Sequence, residues 1–428
     1  MNILVLGAGG RECAFAWKIS QSPLCKKLFI APGNAGTATY GTNIPISETD
    51  FEGLKRFVLE NDIDMIVPGP EAPLAAGLVD YFRNDGLLDH IKIIGPSRQG
   101  AQLESSKEFA KAFMAGHAIP TASYASFGPE DINKGYAFLD SLDPPYVIKA
   151  DGLAAGKGVV ICPDLETAKN ELKQMLVDKK FGQASARVVI EEFLHGIELS
   201  VFVLTDGRNY VLLPEAKDYK RIGIGDQGPN TGGMGAVSPV PFADSAFIKK
   251  VEERIIKPTI SGLQNAGIPY CGFIFLGLMN CSGEPYLIEY NVRMGDPETE
   301  AVLPRVKNDL VHLFILAATA KLDQAKIVTE SDTAVAVVLA SGGYPGTYEK
   351  GKTIAIKNDL HGALIFHAAT QFNAEKQLET SGGRVLIISA IGKTLAKARE
   401  KAYVGVSKVG FENAYYRADI GLDLLSLS

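Results

Sequence analysis

Nowhere in the 428 residues is there a C-x-x-C pair, a basic stripe or a long apolar run. The five cysteines (Cys13, Cys25, Cys162, Cys271, Cys281) are odd in number and scattered. That argues against a disulfide framework or a zinc site and fits a reducing cytoplasm. Basic residues come only in pairs, such as Lys179–Lys180 and Lys249–Lys250, within a net charge of −6, so no nucleic-acid partner is expected. Apolar stretches such as AVAVVLA at 334–340 are far too short to span a bilayer, and no membrane partner is expected either. The opening MNILVLGAGG lacks a basic region ahead of its apolar run and leads into a glycine turn, so it reads as a first strand, not a signal peptide. Neither H-E-x-x-H nor G-x-S-x-G occurs, and the six histidines are dispersed, which leaves no protease or hydrolase set. Repeats and low-complexity tracts are absent.

What is present is a chain long enough for roughly two to four domains. Strands NILVL, KLFIA, DMIVPG and KIIG alternate with helical patterns over RECAFAWKISQS, 50–60 and 74–84. This alternation predicts an α/β domain with a doubly wound parallel sheet. Ligands on such sheets bind at the carboxyl ends of the strands, which here carry GAGGRE, PGNAGTA, GPEAPL and GPS. Beyond about 105 the pattern predicts a helix at 106–116, a strand PYVIKA, a helix at 164–178 and strands VVIEEFL (188–194) and ELSVFVLT (198–205). A long glycine-rich loop at 215–241, a helix at 245–265 and strands GFIFLGLM and EPYLIEYN follow. After about 328 come TAVAVVLA, KTIAI, ALIFHAA and RVLIISA and a helix at 393–408.

Three motifs carry chemistry. Residues 150–161, ADGLAAGKGVVI, resemble a P-loop but fail its spacing: three residues separate Gly152 from Gly156, and Lys157 is followed by Gly158, which has no hydroxyl for a metal. Its glycines still suit a mobile loop whose amides fold over a nucleotide, with Lys149 emerging at the end of a buried strand to meet phosphate oxygens. In VVIEEFL, the acids Glu191 and Glu192 precede Phe193 and Leu194, a strand end able to read an adenine edge, with Glu198 placed for ribose hydroxyls. GAGGRE matches a dinucleotide fingerprint at Gly7 and Gly9 but has Glu12 in the third glycine position, and no acid lies near position 30. It could still bind a phosphate through Gly9, Gly10 and Arg11; a tight turn with an exposed arginine explains it equally well. In PYLIEYNVR, Glu289 and Asn291 share a strand face as oxygen donors for Mg²⁺, and Arg293 continues the row toward GDPETE. Taken singly, that row is also explained by a solvated edge strand.

Together the pieces GAGGRE, PGNAGTA, GPEAPL, VIKADGLAAGKGV, PNTGGMGA (229–236), IEYNVRMGDPE (288–298) and YRADIG (416–421) resemble the ATP-grasp superfamily, and within it the phosphoribosylamine–glycine ligases, from end to end. The resemblance implies an N-terminal doubly wound parallel sheet (1–104), a split ATP-grasp core (105–122 and 193–327), a mobile lid with the glycine loop (123–192) and a small C-terminal β-rich α+β domain (328–428). It implies an ATP-dependent ligation of glycine to 5-phosphoribosylamine through a glycyl phosphate, with Mg²⁺ or Mn²⁺, in a cytoplasmic chain expected to act as a monomer. By position, Lys107 and Lys149 match the ATP lysines; Gly156, Lys157 and Gly158 the nucleotide loop; Glu191, Glu192, Phe193, Leu194 and Glu198 the adenine and ribose contacts; Glu289 and Asn291 the metal pair. Lys149, Arg293 and Asp296 are the expected catalytic groups. Gly9, Gly10, Arg11, Asn34, Gly36, Pro70 and Glu71 are expected around the ribosylamine, and Asp218, Arg293, Gly295 and Asp296 around glycine. Cys13 stands where the family usually has histidine, Met294 where it usually has Phe or Leu, and GLM at 277–279 supplies no third acid. The rival readings are another ATP-grasp carboxylate–amine ligase, a nucleotide sensor and a dinucleotide oxidoreductase.

Overall fold

The computed structural model describes residues 1–154, 158–357 and 359–427. Its first sheet is wholly parallel, ordered Thr42–Asn43, Lys27–Pro32, Asn2–Gly7, Met65–Pro68, Lys92–Ile93. Ile3, Leu4, Val5 and Leu6 are all fully buried because both faces of the sheet are covered, which is why this strand is continuously apolar. Ile3 and Val5 pack toward the helix Gly10–Ile19; Leu4 and Leu6 pack with the helix Phe51–Glu60. The helix expected at 74–84 is instead two, Glu71–Ala76 and Leu78–Arg83, because Gly77 turns left-handed at φ 94° between them. A further helix, Leu310–Ala318, is buried at Leu310, Val311, Leu313, Phe314, Leu316 and Ala317. Its nearly uniform apolarity hides the amphipathic period that would have revealed it.

Two antiparallel sheets follow. One is ordered Tyr124–Phe127, Val188–Glu191, Tyr146–Ala150, Val159–Cys162, and shares its core with helices Ile132–Asp140 and Leu165–Leu176. Asp164 accepts the Thr167 amide and so starts the second of these helices. The strand expected to reach residue 194 stops at Glu191. The other sheet is ordered Tyr210–Leu212, Ile197–Thr205, Gly272–Cys281, Glu284–Asn291. Ser245–Asn265 is one continuous helical run with a π turn over Glu252–Ile256.

The segment 215–241, expected as one long glycine-rich loop, contains strands. It holds the hairpin Arg221–Gly223/Gln227–Asn230, and two of its strands, Lys217–Asp218 and Gly235–Ser238, join the C-terminal sheet beside Thr333–Ser341, Arg384–Gly392 and Leu364–His367. The C-terminal sheet therefore draws strands from inside 193–327. Of KTIAI, only Ala355–Ile356 is a strand. Helix Leu395–Val406 buries Leu395, Ala398, Ala402 and Val406 in the same cluster as the sheet residues Val335, Val337, Leu386 and Ile388.

The loop after the strand Lys27–Pro32 meets the C-terminal domain directly. Asn34 donates to the carbonyls of Ala8 (2.8 Å), His367 (2.8 Å) and Ala368 (3.1 Å), while its own carbonyl accepts the Gly36 and Thr37 amides. Cys13 is fully buried there, accepts the His367 amide, and has its thiol pushed up by burial to about 12, so it packs and does not titrate. The His367 ring lies so close to Gly36 that a Cβ there would approach it to 2.4 Å.

Burial holds the His367 imidazole near 4. The unfolded chain, with histidine near 6.5, then takes up the proton more readily than the folded one. Stability from this site is complete above pH 6.5 and is lost as pH falls toward 4, roughly 2 kcal/mol of it by pH 5. Denaturant unfolding at pH 7 and pH 5 should show that loss in the parent and not in His367→Gln. An unchanged pH slope in the variant would remove His367 as the cause.

Candidate active site

The strand Glu284–Asn291 carries a bulge. Gly277 pairs with Glu289, but Leu278 pairs with Leu287, leaving Ile288 as the extra residue. The bulge lets Leu287 and Tyr290 both enter the core, where they are 0% and 2% exposed, and turns Glu289 and Asn291 to the opposite side. Gly277 packs under Glu289, so no third acid stands at that register. Neither the Glu289 carboxylate nor the Asn291 amide hydrogen-bonds to another group among the described residues, and no cluster of three or more metal-ligating side chains occurs among them. Two oxygen donors on one face with no other partner suit Mg²⁺, which takes few protein ligands and fills its shell with phosphate and water.

Burial alone would raise Glu289; Lys220, Lys149, Lys107 and Arg293 outweigh it and hold the carboxyl below its ordinary range. One carboxylate thus lies in the combined field of four cations from different parts of the chain. Lys149 comes from the strand Tyr146–Ala150 and Lys107 from the first turn of the helix Lys107–Gly116. That helix is anchored to the base of the glycine loop: the Glu108 amide donates to Asp151, and Ser106 caps the Phe109 amide. The Lys107 ammonium reaches the carbonyls of Asp151 and Gly152 at 3.5 Å. Gly158 bonds back through its carbonyl to the Ala150 amide. Gly156 and Lys157 lie outside the described residues.

Glu191 is not an open nucleotide contact. Its carboxylate is clamped between Lys149 (2.8 Å) and Lys111 (2.9 Å), all three groups being nearly inaccessible, and only its backbone remains to face a base. Lys111, one helical turn from Lys107, escaped the sequence reading, although the i, i+4 spacing was a usable signal. Burial, with Lys149 adding to it, lowers its ammonium to about 8 against the opposing pull of Glu191. Glu192 is also committed, accepting the Ser123 amide at 2.8 Å. Phe193 and Leu194 follow the strand end half-buried, the Phe193 ring 4.9 Å from that of His195. Glu198 pairs with Lys220 at 2.6 Å. Burial works against the Lys220 charge, but Asp218, Glu198 and Glu289 hold it well above its ordinary value.

Arg293 is braced by two acids: Glu104 at 2.7 Å and Glu71 at 3.4 Å. Glu104, also missed from the sequence, additionally accepts the Val292 amide, fixing the chain just before the arginine. Asp218 is pushed up by burial and by Glu198 against the opposing Lys220. Burial and Asp218 push the neighbouring Glu298 to about 7. Gly295 is the cradle for Glu298, since a Cβ there would come within 2.4 Å of the carboxylate; it does not open onto free space.

The first glycine turn departs most from expectation. Glu12 accepts the Gly9 amide at 2.6 Å and the Arg11 Nε at 2.6 Å, and Asp296 accepts the Arg11 amide at 3.3 Å. Arg11 is 7% exposed and donates its Nη1 to the Met294 carbonyl. It is a buried brace, not an exposed phosphate ligand. Gly10 is glycine because Glu300 and Ile387 press on it at 2.3 and 2.5 Å from a notional Cβ. Asn34 and Gly36 serve the interdomain contact described above, while Pro70 precedes the helix that delivers Glu71. Between these turns and the C-terminal domain lies a cavity of about 650 Å³, lined among others by Gly9, Asn34, Asp296, Tyr344, Ser381 and Arg384.

Family models of phosphoribosylglycinamide synthetase match the chain in three stretches: its N domain over 1–104, its ATP-grasp (A) domain over 105–299 and its C domain over 334–423. The chain is 45% identical over 432 residues to the phosphoribosylamine–glycine ligase of Chlorobaculum tepidum, covering 99% of this chain and 100% of that one. It is 45% identical over 426 residues to the enzyme of the same name from Escherichia coli K12, covering 98% of each. A crystal structure of phosphoribosylamine–glycine ligase from Thermotoga maritima superposes with a TM-score of 0.85 at 38% identity, over 98% of this chain and 100% of that one. The biotin carboxylase domain of a Hydrogenobacter thermophilus 2-oxoglutarate carboxylase, solved with MgADP, shares the fold at a TM-score of 0.74 and 14% identity, over 100% and 98% of the two chains.

Proposed function

The chain belongs to the phosphoribosylglycinamide synthetase family, and from that premise we infer how its site performs the ligation. The reaction joins glycine to 5-phosphoribosylamine at the expense of ATP, giving glycinamide ribonucleotide, ADP and phosphate in purine biosynthesis. The observation that carries our site assignment is the single carboxylate Glu289 held in the field of Lys107, Lys149, Lys220 and Arg293. Lys149, Lys220 and Arg293 also pair with Glu191, Glu198 and Glu104, yet four cations from separate segments meeting at one carboxylate suit a triphosphate with its metal better than a neutral ligand.

A carboxylate resists nucleophilic attack because of its own charge. Glycine's carboxylate oxygen therefore takes the γ-phosphoryl group, breaking the bond to the β-phosphate oxygen and releasing ADP. The ribosylamine nitrogen then attacks the glycyl carbonyl, the bond to phosphate breaks, and the nitrogen sheds a proton. Lys149, held at a fixed angle by the Glu191–Lys111 clamp, and Lys107 orient the phosphates. Arg293, braced by Glu104 and Glu71, meets the charge on the transferred group. Glu289 and Asn291 would hold a divalent cation, Mg²⁺ or Mn²⁺, which when bound neutralises the phosphate oxygens. We place the adenine at the backbone of Glu191–Leu194, glycine near Asp218, Arg293 and Asp296, and the ribosylamine in the cavity beside Asp296. Gly152 and Gly158 would serve as hinge positions when the site closes over the acyl phosphate and keeps water out. All five cysteines are unpaired, which suits a reducing cytoplasm. No helix among the described residues is long and apolar enough to cross a membrane.

Phosphate release from ATP by the purified protein tests this reading. It should require glycine and 5-phosphoribosylamine together and should form glycinamide ribonucleotide in equal amount. Equal turnover with another amino acid, or with either substrate left out, would overturn it.

A further inference from the structure

The cavity beside Asp296 raises a question of charge. 5-Phosphoribosylamine is a phosphomonoester, and its phosphate needs a cation and hydrogen-bond donors. The obvious place, the start of the helix Gly10–Ile19, is already filled by two carboxylates. Glu12 holds the Gly9 amide and Asp296 the Arg11 amide, while the Arg11 guanidinium is buried against Glu12 and Met294. A third anion there would meet two existing ones, already seated on the Gly9 and Arg11 amides.

On the other side of Asp296 from that turn stands Arg384, the one cationic side chain among the cavity's lining residues. Its Nη1 alone makes every hydrogen bond found for this guanidinium among the described residues: to the carbonyls of Asp296 (2.6 Å), Gly232 (2.7 Å) and Gly233 (3.4 Å). The same nitrogen lies 3.0 Å from the Asp296 carboxylate. Nε and Nη2 make none. The plane of the guanidinium is set by the backbone of Gly232, whose notional Cβ would lie 2.9 Å from Cζ. Burial opposes the charge, but Asp296, Tyr344 and Glu300 hold it firmly on. The other polar lining groups are occupied. Asn34 and Asn43 tie the N-terminal loop, Thr370 bonds the His367 ring and Gln371 bonds Glu379. Ser381 has no hydrogen-bonded side chain among the described residues.

We propose that Arg384, with Ser381 beside it, is the receptor for the 5′-phosphate of the ribosylamine substrate, so that the C-terminal domain and not the first glycine turn anchors that anion. The inference rests on the ligase reading above. It also orients the substrate. The Asp296 carboxylate, one contact deeper than Arg384, repels the phosphate and attracts the hydroxyl and amine end, which then points along the turn toward Arg293.

Binding of the stable product tests this by titration calorimetry, using glycinamide ribonucleotide and its dephosphorylated nucleoside on the full-length protein. Arg384→Met should weaken the ribonucleotide at least about 30-fold, the smaller end of what loss of a desolvated charge partner costs. It should leave nucleoside affinity and ATP affinity at the parent level, so that the parent's preference for the phosphorylated ligand collapses. Arg384→Lys, which keeps the charge and loses the fork that braces Gly232 and Asp296, should retain most of that preference. Equal weakening of both ligands would make Arg384 only a brace for Asp296, and unchanged ribonucleotide affinity would empty the site; either overturns the proposal. Glycine-dependent ADP formation by the unaltered protein is read separately: if that is missing, it is the ligase reading that fails.

Discussion

Glu289→Gln is expected to lower turnover by about 100- to 1,000-fold or more while leaving the fold intact. The substitution preserves shape and removes one charge. Lys107, Lys149, Lys220 and Arg293 then lose their shared counter-ion, and the divalent cation loses its only carboxylate donor. The consequences separate cleanly. Metal-free ATP should still bind, because its own phosphates supply the missing negative charge, whereas the additional affinity conferred by Mg²⁺ should disappear. Acid behaviour should change in step. The folded carboxyl titrates below its ordinary value, so its stabilising contribution is present above the unfolded value near 4.5 and is lost as pH falls through the folded one. Glu289→Gln should lack that segment of the acid-unfolding curve. Nucleotide titrations with and without Mg²⁺, beside steady-state rates at limiting Mg²⁺, read both effects. A variant that turns over normally when Mg²⁺ is scarce would strip Glu289 of the metal role.

The second large effect is expected at Arg293. Arg293→Met should cost about 3–5 kcal/mol of stability as well as activity, because it leaves Glu104 buried without its cation. Burial already pushes the Glu104 carboxyl upward, with Arg293 as the main opposing influence. Adding Glu104→Gln to Arg293→Met should therefore recover much of the lost stability. It should recover none of the turnover, expected to stay about 100- to 1,000-fold down, because no guanidinium then meets the transferred phosphoryl group. Arg293→Lys should fall between, since a single ammonium cannot serve both Glu104 and Glu71 and still present a donor to substrate. Urea unfolding and kcat on the double variant decide the matter. Recovery of both quantities together would assign Arg293 a purely structural part.

Much of this was legible in the chain itself. Alternating apolar strands and helical patterns announce the parallel sheet of the first hundred residues, and the period-2 face of PYLIEYNVR announces Glu289, Asn291 and Arg293 as a row. The row survives because the bulge at Ile288 falls before it, where one extra residue changes which side faces the core without disturbing the spacing beyond. Lys111, Glu104, Lys220 and Arg384 were not legible in the same way. Each acts through a partner far away in sequence: Glu191, Arg293, Glu289 and Asp296 respectively. The strands within 215–241 were hidden for a related reason, since the segment lacks the apolar alternation that marks a sheet and Gly235–Ser238, which ties it to the C-terminal sheet, pairs with a strand that begins only at Thr333.

Local pattern therefore decided which residue types stand at strand ends and turns, because backbone periodicity and glycine chemistry act over a few residues. Only the tertiary structure decided which of those groups stay free to meet a ligand. Glu191, Arg11 and Asn34 have the chemistry of contact residues, yet each is consumed by a buried partner. A buried charge or amide has to be satisfied from whatever the fold brings beside it, and that neighbour is set by packing between distant segments, not by the sequence on either side.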